Sequence, residues 1–365
     1  MSLNLKINPL KKWLGDYKYP LVISGPCSAE SEDQVLETAL QLSKIPNVKI
    51  FRAGIWKPRT RPGDFEGVGD IGLLWLKKVK QQTNLLTTVE VANPMHVEKC
   101  LKNNVDVLWI GARTVVNPFS IQEISNVLKG VDIPVMIKNP VNPDIKLWIG
   151  AIERIYNAGI KNIGAIHRGF FIYDNKVYRN QPMWEIPIEL KRLLPDLPII
   201  VDPSHICGNR QLLSAVSQRA MDLGMSGLMI ESHPNPSKAL SDANQQIEPS
   251  KLETLLSELI IRKQKGDIDF ENKLEELRSQ IDEIDLKLIE DLANRMQVVD
   301  EIGKYKQENK ITVLQLKRWN TIINDRLKSG EKLGIYNDFL VKILELIHLE
   351  SIRRQTNIVK NSKNI

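Results

Sequence analysis

Between residues 20 and about 260 the apolar and polar positions repeat as one unit. A short, continuous apolar run ends in polar residues, and an amphipathic helical stretch follows. The runs are Leu21–Ser24, Val48–Arg52, Leu85–Glu90, Val107–Ile110, Val135–Lys138, Ile163–His167, Ile199–Asp202 and Gly227–Ile230. Continuous apolar strands separated by helices are what a parallel sheet covered on both faces requires. Eight such units over ~250 residues predict an α/β fold of the (β/α)8 TIM-barrel type. A doubly wound open sheet is the alternative, but no glycine-rich dinucleotide turn follows any run.

The pattern changes at IIRKQKGDIDFENK, residues 260–273. Beyond it no strand-like run occurs. Leu274, Leu277, Ile281, Ile284, Leu288 and Leu292 recur at spacings of three and four, the mark of an amphipathic helix. That helix is expected over Phe270–Asn309, about 60 Å at 1.5 Å per residue. Two shorter helices are expected at 313–329 and 335–357. A helix of that length cannot bury its apolar face on two short ones, so a dimer or docking on the barrel is expected. The resulting division is a barrel over 1–262, a linker over 263–271, an all-α domain over 272–357 and a polar tail over 358–365.

Composition narrows the partners. The chain of 365 residues has a formal net charge of +6, which suits a nucleic-acid surface or anionic small substrates. No block of five or six consecutive cations is present, so no nucleic-acid partner is expected. No signal peptide and no apolar run of about 18 residues are found, so the expectation is a cytoplasmic protein with no membrane partner. Cys27, Cys100 and Cys207 lack CxxC spacing and do not make a disulfide framework. The barrel pattern begins near residue 20 and its inter-strand stretches are short, so no separate sensor domain is expected before it or between the strands.

In a barrel of this type, chemistry belongs at the C-terminal ends of the strands. Those ends carry Cys27 in GPCSAE, then Arg52 and the loop KPRTRPGDFEG of residues 57–67, Glu90, Arg113 in GART, Lys138 in IKNP, His167 and Arg168, Asp202 and His205 in DPSH, Glu231, and Asp242 in ALSDA. Taken singly, each has an ordinary structural reading. Together, cations converge on one face, where a multiply charged anion would relieve their repulsion; the arginine fork suits phosphate and carboxylate. Cys27, His205, Glu231 and Asp242 make a plausible four-ligand divalent site. Its mixed hardness fits Mn, Fe, Co or Zn without choosing among them.

GPCSAE, RAGIWKPRTRPGDFEG, GARTVVNP, KNP, HRG, DPSH and ALSDA, in this order, resemble 3-deoxy-D-arabino-heptulosonate 7-phosphate (DAHP) synthase over residues 18 to about 262. The resemblance implies that Arg52, Lys57, Ala112, Arg113, Lys138 and Arg168 bind phosphoenolpyruvate. It implies Arg59 and Thr60 for the phosphate of erythrose 4-phosphate, Lys57 as the catalytic acid, and one divalent metal ion per barrel on Cys27, His205, Glu231 and Asp242. The related 3-deoxy-D-manno-octulosonate 8-phosphate synthase is the alternative; its loop typically reads Lys-Ala-Asn-Arg where this chain has Lys57-Pro58-Arg59-Thr60.

LEELRSQIDEIDLKLIEDLANRMQVVDEIGKYK, from residue 274, sets Arg295 and Lys306 eleven positions apart, on one face of a helix. Arg278 lies ~42 Å from Lys306 along the same helix, so a site using all three would draw Arg278 from a second chain. A charged, solvated face is the simpler reading of this spacing alone. Residues 272–357 resemble the all-helical chorismate mutase, a dimer with interlaced long helices. The matching positions are Arg278, Arg295, Lys306, Arg318, Ser351 and Gln355. The resemblance implies that the three arginines hold the carboxylates of chorismate and that Lys306 and Gln355 act on its ether oxygen. Where the family often has carboxylates near the substrate hydroxyl, this chain has Gln315 and Trp319. The expectation is a bifunctional, homodimeric enzyme of aromatic biosynthesis whose helical product feeds back on the barrel. A helical domain serving only as dimerisation and sensing module is the alternative.

Overall fold

The computed structural model describes residues 4–57, 63–173, 177–263 and 265–361. Arg59 and Thr60 lie outside the described residues. The chain forms two compact units, Met1–Gln264 and Lys265–Ile365.

In the first unit eight strands close into a parallel barrel in sequence order: β1 Leu21–Gly25, β2 Val48–Arg52, β3 Leu86–Val91, β4 Val107–Ile110, β5 Val135–Lys138, β6 Ile163–His167, β7 Ile199–Val201 and β8 Gly227–Glu231. The period-2 geometry of a strand sorts its side chains into two layers. Val22 faces the outer helices, while Leu21 and Ile23 fill the lumen. Ile50, Trp109, Met136, Ile166, Ile200 and Met229 complete the inner layer. Leu10 and Leu14, on the short helix Leu10–Leu14, join this cluster beside the strand-initial residues Leu21 and Val107. They close the end of the barrel opposite the strand C-termini, so the lumen is solid and the open rim is the C-terminal one.

Closure is set by β1 pairing with β8 from Leu21↔Gly227 to Gly25↔Glu231. Gly25 has φ 149°, and a Cβ there would collide with the Arg52 carbonyl. Only glycine lets β1 and β2 approach so closely at the rim. The next turn then carries Cys27 over the barrel mouth.

The second unit has three helices, Ile268–Glu308, Leu316–Lys332 and Asn337–Asn361. Asp267 caps the first by accepting the Phe270 N–H, and Asp269 and Glu271 add negative charge to its first turn. This helix therefore starts inside the stretch read as linker, and the last helix runs into the stretch read as polar tail, because the capping aspartate and the continuing apolar spacing override the local polarity. The long helix buries only Met296, Val299 and Gly303. Leu277, Ile281, Ile284, Leu288 and Leu292 are exposed at 40–57%. The apolar stripe of its N-terminal half is thus uncovered by the other two helices of the unit. No helix is long and apolar enough to cross a membrane among the described residues.

Candidate active sites

The rim of the barrel collects the predicted residues by strand geometry. Cys27 Sγ and carboxylate oxygens of Glu231 and Asp242 all lie within 4.8 Å of one another. Cys27 Sγ is 3.4 Å from Asp242 Oδ2. His205 stands at the edge of this group, with Nε2 3.9 Å from Glu231 Oε1. Its Nδ1 is 2.9 Å from Asp202 Oδ2. An ionised carboxylate only accepts, so Asp202 fixes the proton on Nδ1 and leaves the Nε2 lone pair facing Glu231. Asp202 also caps the short helix Pro203–Cys207 by accepting the His205 N–H, which aims the imidazole across the rim. Asp242 adopts a left-handed backbone with φ 47°, an uncommon conformation that turns its carboxylate back toward Cys27.

Charge around this cluster is balanced by contact. Arg52 Nη2 lies 3.1 Å from Glu231 Oε1, and both side chains are buried. Lys57 Nζ donates to the Cys27 carbonyl at 2.9 Å and to its Sγ at 2.8 Å. Arg179 pairs with Asp242 at 3.2 Å. Burial pushes the Cys27 thiol up to about 12, with Glu231 adding to the rise and Lys57 opposing it. Burial also pushes Asp202 and Glu231 upward, but His205 and the neighbouring cations outweigh it and hold both carboxylates below their usual range. One thiol and two carboxylates converge here with the His205 imidazole at their edge, and beyond its ion pair with Arg52, Glu231 Oε1 has no hydrogen-bond donor among the described residues. That donor set fits a divalent cation, which would also deprotonate the thiol.

Beside the cluster is a cavity of about 260 Å³ lined by Glu90, Ala112, Arg113, Lys138, Arg168, Arg179 and His205, among others. Four cations around one small space make an anion site. Lys138 is fixed by Asp202 at 3.0 Å, with both groups buried. Arg168 is fixed by Asn180 at 2.9 Å. Trp109 donates to Glu90 at 2.9 Å and stacks under Arg52, whose guanidinium carbon is 5.0 Å from the ring centroid. Arg52 Nε and Nη1 have no partner among the described residues although they are buried. Two unsatisfied buried donors of a fixed cation call for an anionic acceptor.

Arg179, Gln245 and Gln246 were absent from the sequence reading. Gln245 donates to Glu231 at 2.6 Å, and Gln246 accepts the Cys27 N–H at 2.9 Å. The amide pair directly after SDAN was the available signal. His167, at a strand end, is not part of the site. It is buried among Trp148, Phe170 and Trp184, and burial lowers its pKa to about 3.

In the helical unit a cavity of about 430 Å³ is lined by Arg295, Lys306, Arg318, Ser351 and Gln355, with Gln315, Trp319, Arg326 and His348 beside them. Arg295 Nη1 donates to Ser351 Oγ at 2.8 Å. Lys306 Nζ donates to Gln355 Oε1 at 3.1 Å and to the Val313 carbonyl at 2.7 Å. Five of the six predicted residues meet around one space. Arg278 does not: it is exposed and pairs locally with Glu275 at 3.6 Å. Arg326 and His348 were missed, because spacing within one helix carries no information about a neighbouring helix.

A sequence model described as the DAHP synthetase I family matches residues 5–266, and one described as chorismate mutase type II matches residues 277–356. The chain is similar to the phospho-2-dehydro-3-deoxyheptonate aldolase of Thermotoga maritima, with 32% identity over 250 residues, 67% of this chain and 72% of that protein. A 2-dehydro-3-deoxyphosphooctonate aldolase of Legionella pneumophila is 30% identical over 260 residues, 65% of this chain and 89% of that protein. The crystal structure of the Thermotoga aldolase, also called DAHP synthase, superposes with a TM-score of 0.59 at 32% identity, covering 65% of this chain and 67% of that one.

The Lys138–Asp202 pair yields a stability prediction. Lys138→Met leaves a buried carboxylate without its cation and should destabilise the barrel by about 3–5 kcal/mol. Lys138→Met/Asp202→Asn should recover part of that loss. Urea titration of the barrel transition measures both, and a double variant no more stable than the single one would contradict the pairing.

Proposed function

The chain belongs to the DAHP synthetase I family through its barrel and continues into a chorismate mutase type II domain, and on that premise we propose how its residues serve the two reactions. It is a bifunctional enzyme of aromatic biosynthesis, a DAHP synthase and a chorismate mutase on one chain. The octulosonate synthase alternative is not favoured, since a chorismate mutase belongs to the route that the heptulosonate opens.

For the synthase, the observation that carries the reading is the cationic cavity beside the thiol–carboxylate cluster. Arg113, Lys138 and Arg168, with the unsatisfied donors of Arg52, hold the phosphate and carboxylate of phosphoenolpyruvate. Arg59 and Thr60 hold the phosphate of erythrose 4-phosphate. Cys27, His205, Glu231 and Asp242 would hold one divalent ion, which when bound supplies Lewis-acid polarisation of the aldehyde. The loop from Lys57 sets the donor's methylene carbon against the aldehyde carbon, and orientation supplies much of the rate. As the carbon–carbon bond forms, the aldehyde oxygen takes a proton, and Lys57 at the edge of the cluster is the donor. Positive charge develops at C2 of the donor, water adds there, and the C2–O bond breaks to release phosphate.

For the mutase, Arg295 and Arg318 hold the carboxylates of chorismate. Lys306 and Gln355 face the ether oxygen, which gains negative charge as its bond to carbon stretches, and fixed donors stabilise that charge. Lys306 occupies Gln355 Oε1, which leaves the amide N–H of Gln355 for the substrate. The chain acts as a homodimer in which the uncovered stripe of the long helix packs on its copy, and the partner subunit's Arg278 completes the cavity. Prephenate or chorismate in this cavity lowers the synthase rate by favouring one of two states of the chain, with a coupling of about 1–3 kcal/mol.

Three measurements test these assignments. A chelator should abolish heptulosonate formation by the full chain and spare the mutase, and divalent metal should restore the former; full synthase activity in metal-free Cys27→Ala would refute the ligand set. Arg278→Ala and Lys306→Ala proteins should each lose at least about 10²-fold in mutase activity and regain activity when mixed under subunit exchange, because hybrid sites then hold both wild-type residues. No recovery despite proven exchange would place each site within one chain. Prephenate should inhibit the wild-type synthase several-fold and leave Arg295→Ala uninhibited; equal inhibition of both would put the ligand elsewhere.

A further inference from the structure

Trp319 and His348 line the helical cavity and take no part in the chemistry above. Their rings stack face to face, with centroids 3.8 Å apart and an interplanar angle of 11°. Trp319 stands on the helix Leu316–Lys332 and His348 on Asn337–Asn361, so the stack joins two helices across the wall of the cavity.

Chorismate presents two carboxylates, an ether oxygen and a ring hydroxyl. The arginines, Lys306 and Gln355 answer the first three. A desolvated hydroxyl also needs an acceptor for its proton, or the buried donor is left unsatisfied. No aspartate or glutamate lines the cavity among the described residues. Ser351 Oγ already accepts from Arg295 and donates to the Ile347 carbonyl. Gln355 Oε1 accepts from Lys306. The side-chain acceptors on the wall that no described residue already engages are Gln315, which is exposed at a helix start, and His348. The His348 ring makes no hydrogen bond with any described residue, and the stack fixes its plane.

Burial and Arg295 lower the His348 pKa below the ordinary value. The other charged groups on the cavity wall, Lys306 from the long helix and Arg318 and Arg326 from the second, are also cations. At neutral pH the ring is therefore uncharged, and one of its nitrogens carries a free lone pair.

We infer that His348, held flat against Trp319, accepts the hydrogen bond of the chorismate ring hydroxyl and makes the mutase selective for that hydroxyl. Trp319 cannot accept a hydrogen bond, but it orients the neighbour that does. The inference rests on the reading of this cavity as the mutase site.

The test uses the full chain and two substrates, chorismate and its analogue with hydrogen in place of the ring hydroxyl. Wild type should favour chorismate by about 10-fold in kcat/KM, the worth of one neutral hydrogen bond. His348→Phe, which keeps the stack and removes the acceptor, should turn the analogue over as wild type does and lose the preference for chorismate. His348→Gln should retain part of it. Trp319→Leu, which frees the ring, should shrink it and serves if His348→Phe does not fold. An undiminished preference in His348→Phe, or in Trp319→Leu if that variant stands in, overturns the inference, as does a wild type with no preference. A wild-type chain that does not rearrange chorismate at all is a distinct result: the mutase reading fails, and the inference falls with it.

Discussion

The pairing of β1 with β8 is the constraint on which the barrel and its chemistry depend. Once Gly25 lies opposite Glu231, eight strands end on one ring, and residues far apart in the chain become neighbours. Cys27 meets Asp242, and Arg52 meets Glu231, with no further instruction. The solid lumen below, filled by Trp109, Met136 and Met229, holds that ring at fixed diameter. A side chain at a strand end inherits this rigidity, which is what a site that works by orientation needs.

Burying so many charges at one rim is costly unless each is answered. Arg52 sits between Glu231 and the face of Trp109, Lys138 against Asp202, and Lys57 against the Cys27 sulfur. The balance is incomplete in an informative way. Among the described residues Arg52 keeps two buried N–H groups without an acceptor, and Glu231 Oε1 has no contact with a donor beyond its ion pair with Arg52. The first deficit suits an anion and the second a cation, and they stand at the two ends of one ion pair. The same two residues thus link the anion cavity to the thiol–carboxylate cluster.

The helical unit is built by a different logic. Its cavity forms where three helices converge and a glycine, Gly303, lets the last helix come close; a Cβ there would press on Ile358 and Gln355. The long helix extends well past its two neighbours, and its exposed apolar stripe and Arg278 lie on the half they do not reach. A stripe of that kind is stable in water only when covered, which is why the proposed dimer and the proposed completion of the cavity are a single event.

Much of this was legible in the sequence because it follows from periodicity and local chemistry. Continuous apolar runs at strand length dictate a doubly covered parallel sheet, and polar residues closing each run mark the rim, so the barrel and residues such as Cys27, Lys138 and Glu231 could be read directly. Spacing along one helix likewise put Arg295 and Lys306 on one face and kept Arg278 out of their reach. What the sequence could not supply was contact between elements far apart in the chain. The ion pairing of Arg52 with Glu231, the tautomer that Asp202 sets on His205, the amides of Gln245 and Gln246 on the cluster, and the stacking of His348 on Trp319 each join residues whose positions are fixed by different elements. Periodicity determines which face a side chain occupies; only the packing of that face against another decides which atoms meet, and the chemistry depends on those distances.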